Sequence, residues 1–498
     1  MGALGLSAPV GGWNARDSLE LMPPTDAVRM ENLIPDAGSV RSRGGSETFV
    51  SGLGGAVESL VAFSALGVRK LLACANGAIV DITSGAASSL ATGKANNRWQ
   101  YAHFNNKAVL VNGADTPLVY DGTSLSAITA TGPTLTSLVG VVGFKGRAIY
   151  WENQDAKFWY AAAGAYQGTL TAFDLSLVAK KGGHVVQILT WTRDAGDGMD
   201  DMLAILFSTG EAVIYQGTDP GSALNFSMVG RYDIGAPLSI RSHTRVATTE
   251  VLFTDDGILT LDEAINNARV NSDINFGGKI ARACKAAAGT YRDNFGWDGV
   301  YYPAGNLYIA NVPVSSSASE QFVRNTNNGA WCKFTGWDVR CLTVHADKLY
   351  FGTSDGKVKQ ADVGQDDDGE YIDYTCLTAY MKLGQPGLKA QLTSVRMVTN
   401  NKFQRAMDVL AYYDYGARDV HPMSDPPEQV QAQWDISYWD TDYWAMPLND
   451  PASQEALPAL RNCNAFGFAV ALLVRFRSKV QRLYWYSSTL IFKQAGVN

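Results

Sequence analysis

The chain has no surplus of positive charge. Lys and Arg total 41 against 48 Asp and Glu, for a net charge of −7 and a pI near 5.4. Proteins that grip nucleic acid by neutralising phosphates normally carry a basic surface, so sequence-specific DNA binding is disfavoured. An acidic surface is compatible with a conduit along which DNA slides, because like charges do not adhere. The chain is also poor in groups that do chemistry. Its five histidines (His103, His184, His243, His345 and His421) stand alone, without metal-ligand spacing, and each reads as a structural residue. No glycine-rich phosphate loop, nucleophile elbow or zinc-binding helix signature occurs. The six cysteines (Cys74, Cys284, Cys332, Cys341, Cys376 and Cys463) are scattered without a C-x-x-C and read as reduced thiols of core or surface. No catalytic residue, metal or cofactor is expected.

Long apolar runs are missing too. Met1 to Ser7 lacks the basic region and apolar core of a signal peptide, and Leu6 breaks a myristoylation pattern. The run Phe466 to Val474 is too short to span a bilayer and is followed by Arg475 and Arg477. The expectation is a protein made in a cytoplasm, with no membrane insertion.

What is abundant points to strands. The 498 residues include 49 Gly, 22 Tyr, 19 Phe and 12 Trp; glycine serves tight turns, and aromatics favour pleated, half-buried surfaces. One unit recurs: an apolar strand, a Gly/Asn/Asp turn and a second apolar strand. It occupies Leu71 to Val80, Val109 to Gly122, Ala148 to Tyr160, Leu203 to Tyr215, Val251 to Leu261, Val300 to Ile309 and Leu349 to Val358. Asn76-Gly77 and Asp256-Gly257 mark the turns, where positive φ costs glycine and asparagine little. The unit returns every roughly 40 to 50 residues, the length of a four-stranded propeller blade. The third and sixth copies are the weakest.

The fold class expected is therefore mainly β: a β-propeller of six or seven blades at residues 59–370, preceded by an extended N-terminal arm (residues 1–58). A C-terminal β-domain (residues 371–498) follows. Unrelated hairpins in a sandwich are the alternative. In the arm, Pro and Gly break any helix longer than the short stretch Asp26 to Leu33. Gly364 to Gly369 reads as a linker or surface turn. In the C-terminal domain, Trp434 to Trp444 holds five aromatics in eleven positions, which suits an interface or a plug in the domain's own core. Trp13, Trp434, Trp439 and Trp444 are the candidate interface residues. The acidic cluster Asp194 to Asp201, with Asp197 and Asp200, is the best candidate for paired-carboxylate glycosidase chemistry, although a solvated loop is the simpler account. Asp366-Asp367-Asp368 lacks the spacing of a calcium loop; calcium at either cluster stays open.

Three stretches carry a family resemblance. The first is Gly12-Trp13-Asn14 with Met22-Pro23, Asn32-Leu33-Ile34-Pro35 and Val40 to Gly45. The second is Gly329 to Trp337, followed by Leu349 to Thr353 and Asp355-Gly356. The third is Trp434 to Trp444. Together they resemble the tail nozzle proteins of podoviruses, short-tailed bacteriophages, also called tail tubular protein B. The resemblance covers the two ends and the last blade, and the middle only as generic propeller. It implies a virion structural protein without catalytic residues, forming a homo-hexameric ring below the tail adaptor protein ring, with a channel through which genomic DNA passes without specific binding. Arm and C-terminal domain would form the platform near the adaptor; tail fibres or spikes are further docking candidates. A monomeric β-propeller that binds glycans or hydrolyses them is the rival.

Overall fold

A computed structural model describes residues 1–194, 199–266, 276–385, 387–400, 407–416, 457–479 and 482–494. The chain divides into two compact units. One holds residues 48–323 and 336–361; the other holds residues 1–47, 324–335 and 362–498.

The larger unit is a ring of seven blades, six of them separate antiparallel sheets of three or four strands and the other, blade 6, the leading strands of a ten-stranded sheet. Blade 1 is Val57–Ala65, Val68–Ala75, Ala78–Asp81 and Ser88–Ala91; blade 2 is Gln100–Phe104, Lys107–Val111, Leu118–Tyr120 and Leu125–Ala127. Blade 3 is Leu138–Phe144, Arg147–Glu152, Lys157–Tyr160 and Thr171–Asp174; blade 4 is Val185–Asp194, Met199–Phe207, Glu211–Gly217 and Phe226–Asp233. Blade 5 has three strands, His243–Val246, Thr249–Thr254 and Gly257–Thr260, and runs into helix α1 (Leu261–Asn266). Helix α2 (Ala281–Tyr291) follows and lies on Gly257–Thr260. Blade 6 is built from Asp298–Tyr302, Leu307–Pro313 and Ser319–Asn325, the last of which leaves the unit at Arg324. Blade 7 is Cys341–His345, Lys348–Gly352 and Val358–Ala361, and its fourth strand is Ser46–Val50, from the start of the chain.

The first strands of the blades line the axis and close a circle. Val57–Ala65 runs beside Gln100–Phe104, which runs beside Leu138–Phe144, which runs beside Val185–Asp194. The last of these meets Thr249–Thr254, the second strand of blade 5. His243–Val246 then runs beside Asp298–Tyr302, Asp298–Tyr302 beside Cys341–His345, and Cys341–His345 beside Val57–Ala65. This is a seven-bladed β-propeller.

The packing explains the sequence pattern. Alternate side chains of a strand point to opposite faces, and in a propeller both faces are covered. In blade 4, Leu203, Ile205 and Phe207 pack with Ile149, Trp151 and Phe158 of blade 3. Their neighbours Met202, Ala204 and Leu206 pack with Leu252 and Leu259 of blade 5. In blade 1, Leu72 and Cys74 face Leu110 and Tyr120 of blade 2, whereas Leu71, Ala73 and Ala75 join Tyr350 and Val358 of blade 7. Central strands buried on two faces read as continuous apolar runs, which are the runs that recur in the sequence.

The smaller unit is also β-structure. One sheet has the order Leu457–Gly467, Ala390–Thr399, Tyr484–Gln494, Ser39–Ser42 and Leu33–Asp36, with Gly2–Ser7 paired to Tyr484–Gln494. Another series of paired strands runs Trp331–Phe334, Gly12–Trp13, Asp26–Glu31, Ile372–Thr378, Ala469–Ser478 and Met381–Lys382, with Met407–Tyr413 also on Ala469–Ser478. Two expectations are corrected here. The N-terminal segment does not run to residue 58: residues 1–47 belong to this unit and supply strands to it, and residues 48–58 belong to the propeller. Asp26–Glu31 is a strand, not a short helix, since it is held on one side by Trp13 and on the other by Ile372–Thr378.

At the centre of this unit Arg43 is almost fully enclosed, with 1% of its side chain exposed. Its Nη2 donates to Asp367 Oδ2 at 2.5 Å and to Thr335 O at 3.1 Å; its Nε donates to Asn32 Oδ1 at 2.8 Å. Ser46 Oγ donates to Asp367 Oδ1 at 2.9 Å, and Asn32 Nδ2 to Thr335 Oγ1 at 3.0 Å. Asp367, expected in a linker or surface turn, is thus a partner in a buried ion pair. Gly44 and Gly45 are needed alongside: a Cβ on Gly45 would lie 1.8 Å from Asp366 O and one on Gly44 2.3 Å from Asp362 Oδ1. Removing one partner of a buried pair leaves the other charge uncompensated. Arg43→Ala is expected to destabilise the protein by about 3 kcal/mol in denaturant unfolding. Arg43→Lys should not restore it, because one ammonium cannot reproduce the guanidinium fork. Wild-type stability in the lysine variant would contradict this role.

Candidate functional site

The propeller has a cavity of about 410 Å³ at one end of its axis. It lies where the inner strands begin, so its walls come from the segments that lead into successive blades: Arg98 ahead of blade 2 and Gln100 in it, Val139 in blade 3, His184 ahead of blade 4 and Val185 in it. Leu238 to Arg241 precede blade 5, Arg292 to Trp297 precede blade 6, and Arg340 precedes blade 7.

Arg241 ties the ring together across this space. Its Nη1 donates to Glu58 O at 2.6 Å, and its Nη2 to Ser59 Oγ at 2.6 Å and Trp99 O at 3.0 Å. A side chain that leaves ahead of blade 5 therefore ends on blade 1 and at the start of blade 2. Phe295 stands in the middle of three guanidinium groups, with Cζ of Arg98, Arg340 and Arg241 at 4.2, 5.2 and 5.6 Å from its ring centroid. Arginine over an aromatic face is attracted by the ring quadrupole. Arg98 also pairs with Glu58 at 3.2 Å. Arg340 is 8% exposed; its Nε has no partner, and its Nη1 makes one long bond to Ser315 O at 3.4 Å.

Asp298, at the start of the blade 6 inner strand, is buried under this layer. Its Oδ1 accepts from Gly299 N at 2.9 Å and its Oδ2 from Leu342 N at 3.0 Å. Burial lifts its carboxyl to about 6, against the pull of the Arg241 charge and the two backbone N–H groups. Among the thiols, burial pushes Cys284 and Cys341 up to about 12 and raises Cys74, Cys332 and Cys376 further. The five described cysteines are buried and free, and their protonated sulfurs are poor nucleophiles.

The sequence candidates fall elsewhere. Trp13 is half-buried in the smaller unit, its backbone in parallel register with Ala27. Trp434, Trp439 and Trp444 lie outside the described residues, as do Asp197 and His421. Asp200 and Asp201 are not in a loop ahead of the fourth hairpin. They open its first strand, opposite Arg193 and Thr192 in the blade 4 ladder, and Asp201 meets Lys145 Nζ at 3.2 Å. Val185 lines the cavity at the other end of that inner strand, so Asp194 stands about 30 Å away along it. The arginines went unnoticed in the sequence because single basic residues resemble any solvated charge. Their signal is positional: Arg98, Arg241 and Arg340 each stand one or two residues ahead of an inner strand.

A carboxyl whose folded value lies above its unfolded one favours the protonated form of the native state. Its stabilising contribution is full below the unfolded value, near 4, and is lost as pH rises to about 6. Thermal unfolding followed between pH 4 and 7 should therefore show a fall in stability over that window that Asp298→Asn flattens. An unchanged slope in the variant would contradict this.

No protein-family model matches the chain, and no curated protein matches it. Among solved structures the chain is similar to YCF48 from Cyanidioschyzon merolae, at 10% identity over 64% of this chain and 98% of that one, with a TM-score of 0.38. It is similar to BamB from Moraxella catarrhalis at 10% identity, over 72% and 98%, with a TM-score of 0.38. The β-propeller domain of Cps50 (Swd1) from Myceliophteria thermophila matches at 11% identity, over 64% and 99%, with a TM-score of 0.43.

Proposed function

We propose that this chain is a structural subunit of the tail of a short-tailed bacteriophage, in which copies of it form a nozzle ring below the adaptor. The observation that supports this reading is where the nozzle-like stretches fold. Asn32 and Arg43 of the first stretch and Thr335 of the second, about 300 residues on, share one buried hydrogen-bonded cluster in the smaller unit. Gly12 pairs with Trp331, and a Cβ at Gly12 would lie 2.5 Å from Trp331 O. Residues that carry the likeness thus build a scaffold, not a reactive centre. In this role the smaller unit joins copies and meets the adaptor, with Trp13 and the Trp434 to Trp444 segment as contact residues, and fibres or spikes dock on the assembly. The net charge of −7 suits a wall that does not hold DNA, since attraction of several phosphates would stall its passage. The protein then resides in the virion tail and does no chemistry of its own.

A closed ring of identical subunits has a mass set by its symmetry. Purified full-length protein should sediment near 320 kDa, about six copies of 53.7 kDa, and negative-stain images should show rings. A single 53.7 kDa species without rings at every concentration would refute the nozzle and favour a monomeric glycan-binding propeller.

A further inference from the structure

We infer that the axial cavity of the propeller is a binding site for a small oxyanion, a carboxylate or phosphate, held by Arg340 and Arg98 beside Phe295. Arg98, Arg241, Arg292 and Arg340 line the cavity, with Asp293 the one carboxylate in its lining; Arg98 and Arg292 also pair with Glu58 at 3.2 Å and Asp255 at 3.3 Å, whereas Arg241 and Arg340 make no carboxylate pair. Arg241 gives its hydrogen bonds to neutral oxygens only. Arg340 is the decisive group. It is more than nine-tenths buried, it has no carboxylate partner, and its Nε is an orphan donor. A buried guanidinium in that state is costly unless an anion joins it. Three guanidinium groups within 5.6 Å of one ring centroid also repel one another, and an anion between them would relieve that repulsion.

The geometry selects the ligand class. Planar guanidinium forks match the paired oxygens of carboxylates and phosphates, and Phe295 offers an apolar surface for a short carbon skeleton. A volume of about 410 Å³ is at the small end of ligand pockets, enough for a small organic acid or phosphate ester and too small for a folded partner. The site belongs to one propeller and does not depend on ring assembly, so it stands or falls separately from the nozzle reading.

Calorimetric titration of the full chain with citrate and with inorganic phosphate tests it, with sodium chloride matched for ionic strength. At least one of the two anions should bind one-to-one, and chloride should not; which of them binds separates a carboxylate source from a phosphate source. Arg340→Gln should weaken binding by about tenfold or more. Should that variant fail to fold, Arg98→Gln carries the test, because the Arg98 side chain is 53% exposed and its loss spares the core. Lys382→Gln removes the same charge from a surface pair with Glu20 in the other unit and should leave binding unchanged. No binding of either anion at millimolar concentration, equal heats from chloride, or unchanged affinity in the folded arginine variants would overturn the site. So would an equal loss in Lys382→Gln.

Discussion

The propeller depends on one constraint: the central strands of its blades are apolar on both faces, so no blade can be stable alone. Leu203, Ile205 and Phe207 need blade 3, and Met202, Ala204 and Leu206 need blade 5. Such a demand is met only when the series of sheets returns on itself. The chain meets it with Ser46–Val50, which arrives before blade 1 is built and completes blade 7. Val50 and Val57 then share a core with Tyr350 and Val358. Phe49 meets Tyr350 edge to face, with ring centroids 5.1 Å apart. Long-range pairing of this kind, across some 300 residues, is slow to form and cooperative once made.

Closing the ring creates the axis, and the axis has its own chemistry. Inner strands converge there, and the residues just ahead of them are forced into one small space. Arg241 turns that crowding into a cross-tie between blades 5, 1 and 2. Arg98 and Arg340 bring further charge into the same layer around Phe295. Ring closure and the concentration of positive charge are thus two results of one arrangement, in a chain whose net charge is negative.

The blades were legible because double burial makes a simple pattern. Six of the seven recurring hairpins are the second and third strands of blades 1 to 5 and 7, and the second strands, such as Leu71 to Ala75 and Met202 to Phe207, are buried on both faces. The sixth, Val300 to Ile309, is instead the first and second strands of blade 6, which is why its repeat character is weak. Asn76 and Gly77 take φ of 50° and 68° at their turn, as the sequence pattern requires. The number of blades was not legible, because blade 5 has three described strands and blade 7 takes one from the far end of the sequence. Residues 1–47 gave no repeat to follow, and beside the local pairings of Leu33–Asp36 with Ser39–Ser42 and of Gly12–Trp13 with Asp26–Glu31 their strands are held by partners more than 300 residues away. The arginine layer was hidden for the same reason: proximity at the axis comes from ring closure, not from spacing along the chain.

Interdependence of the blades is tested most directly by hydrogen exchange on the variant Val50→Asp, which places a charge in the seam between blades 7 and 1. If the ring is one cooperative body, amides of the central strands in blades 2, 3 and 4 lose protection together with those of blades 7 and 1. Loss confined to blade 7, with Lys107–Val111, Arg147–Glu152 and Met199–Phe207 protected as in the wild type, would contradict the account.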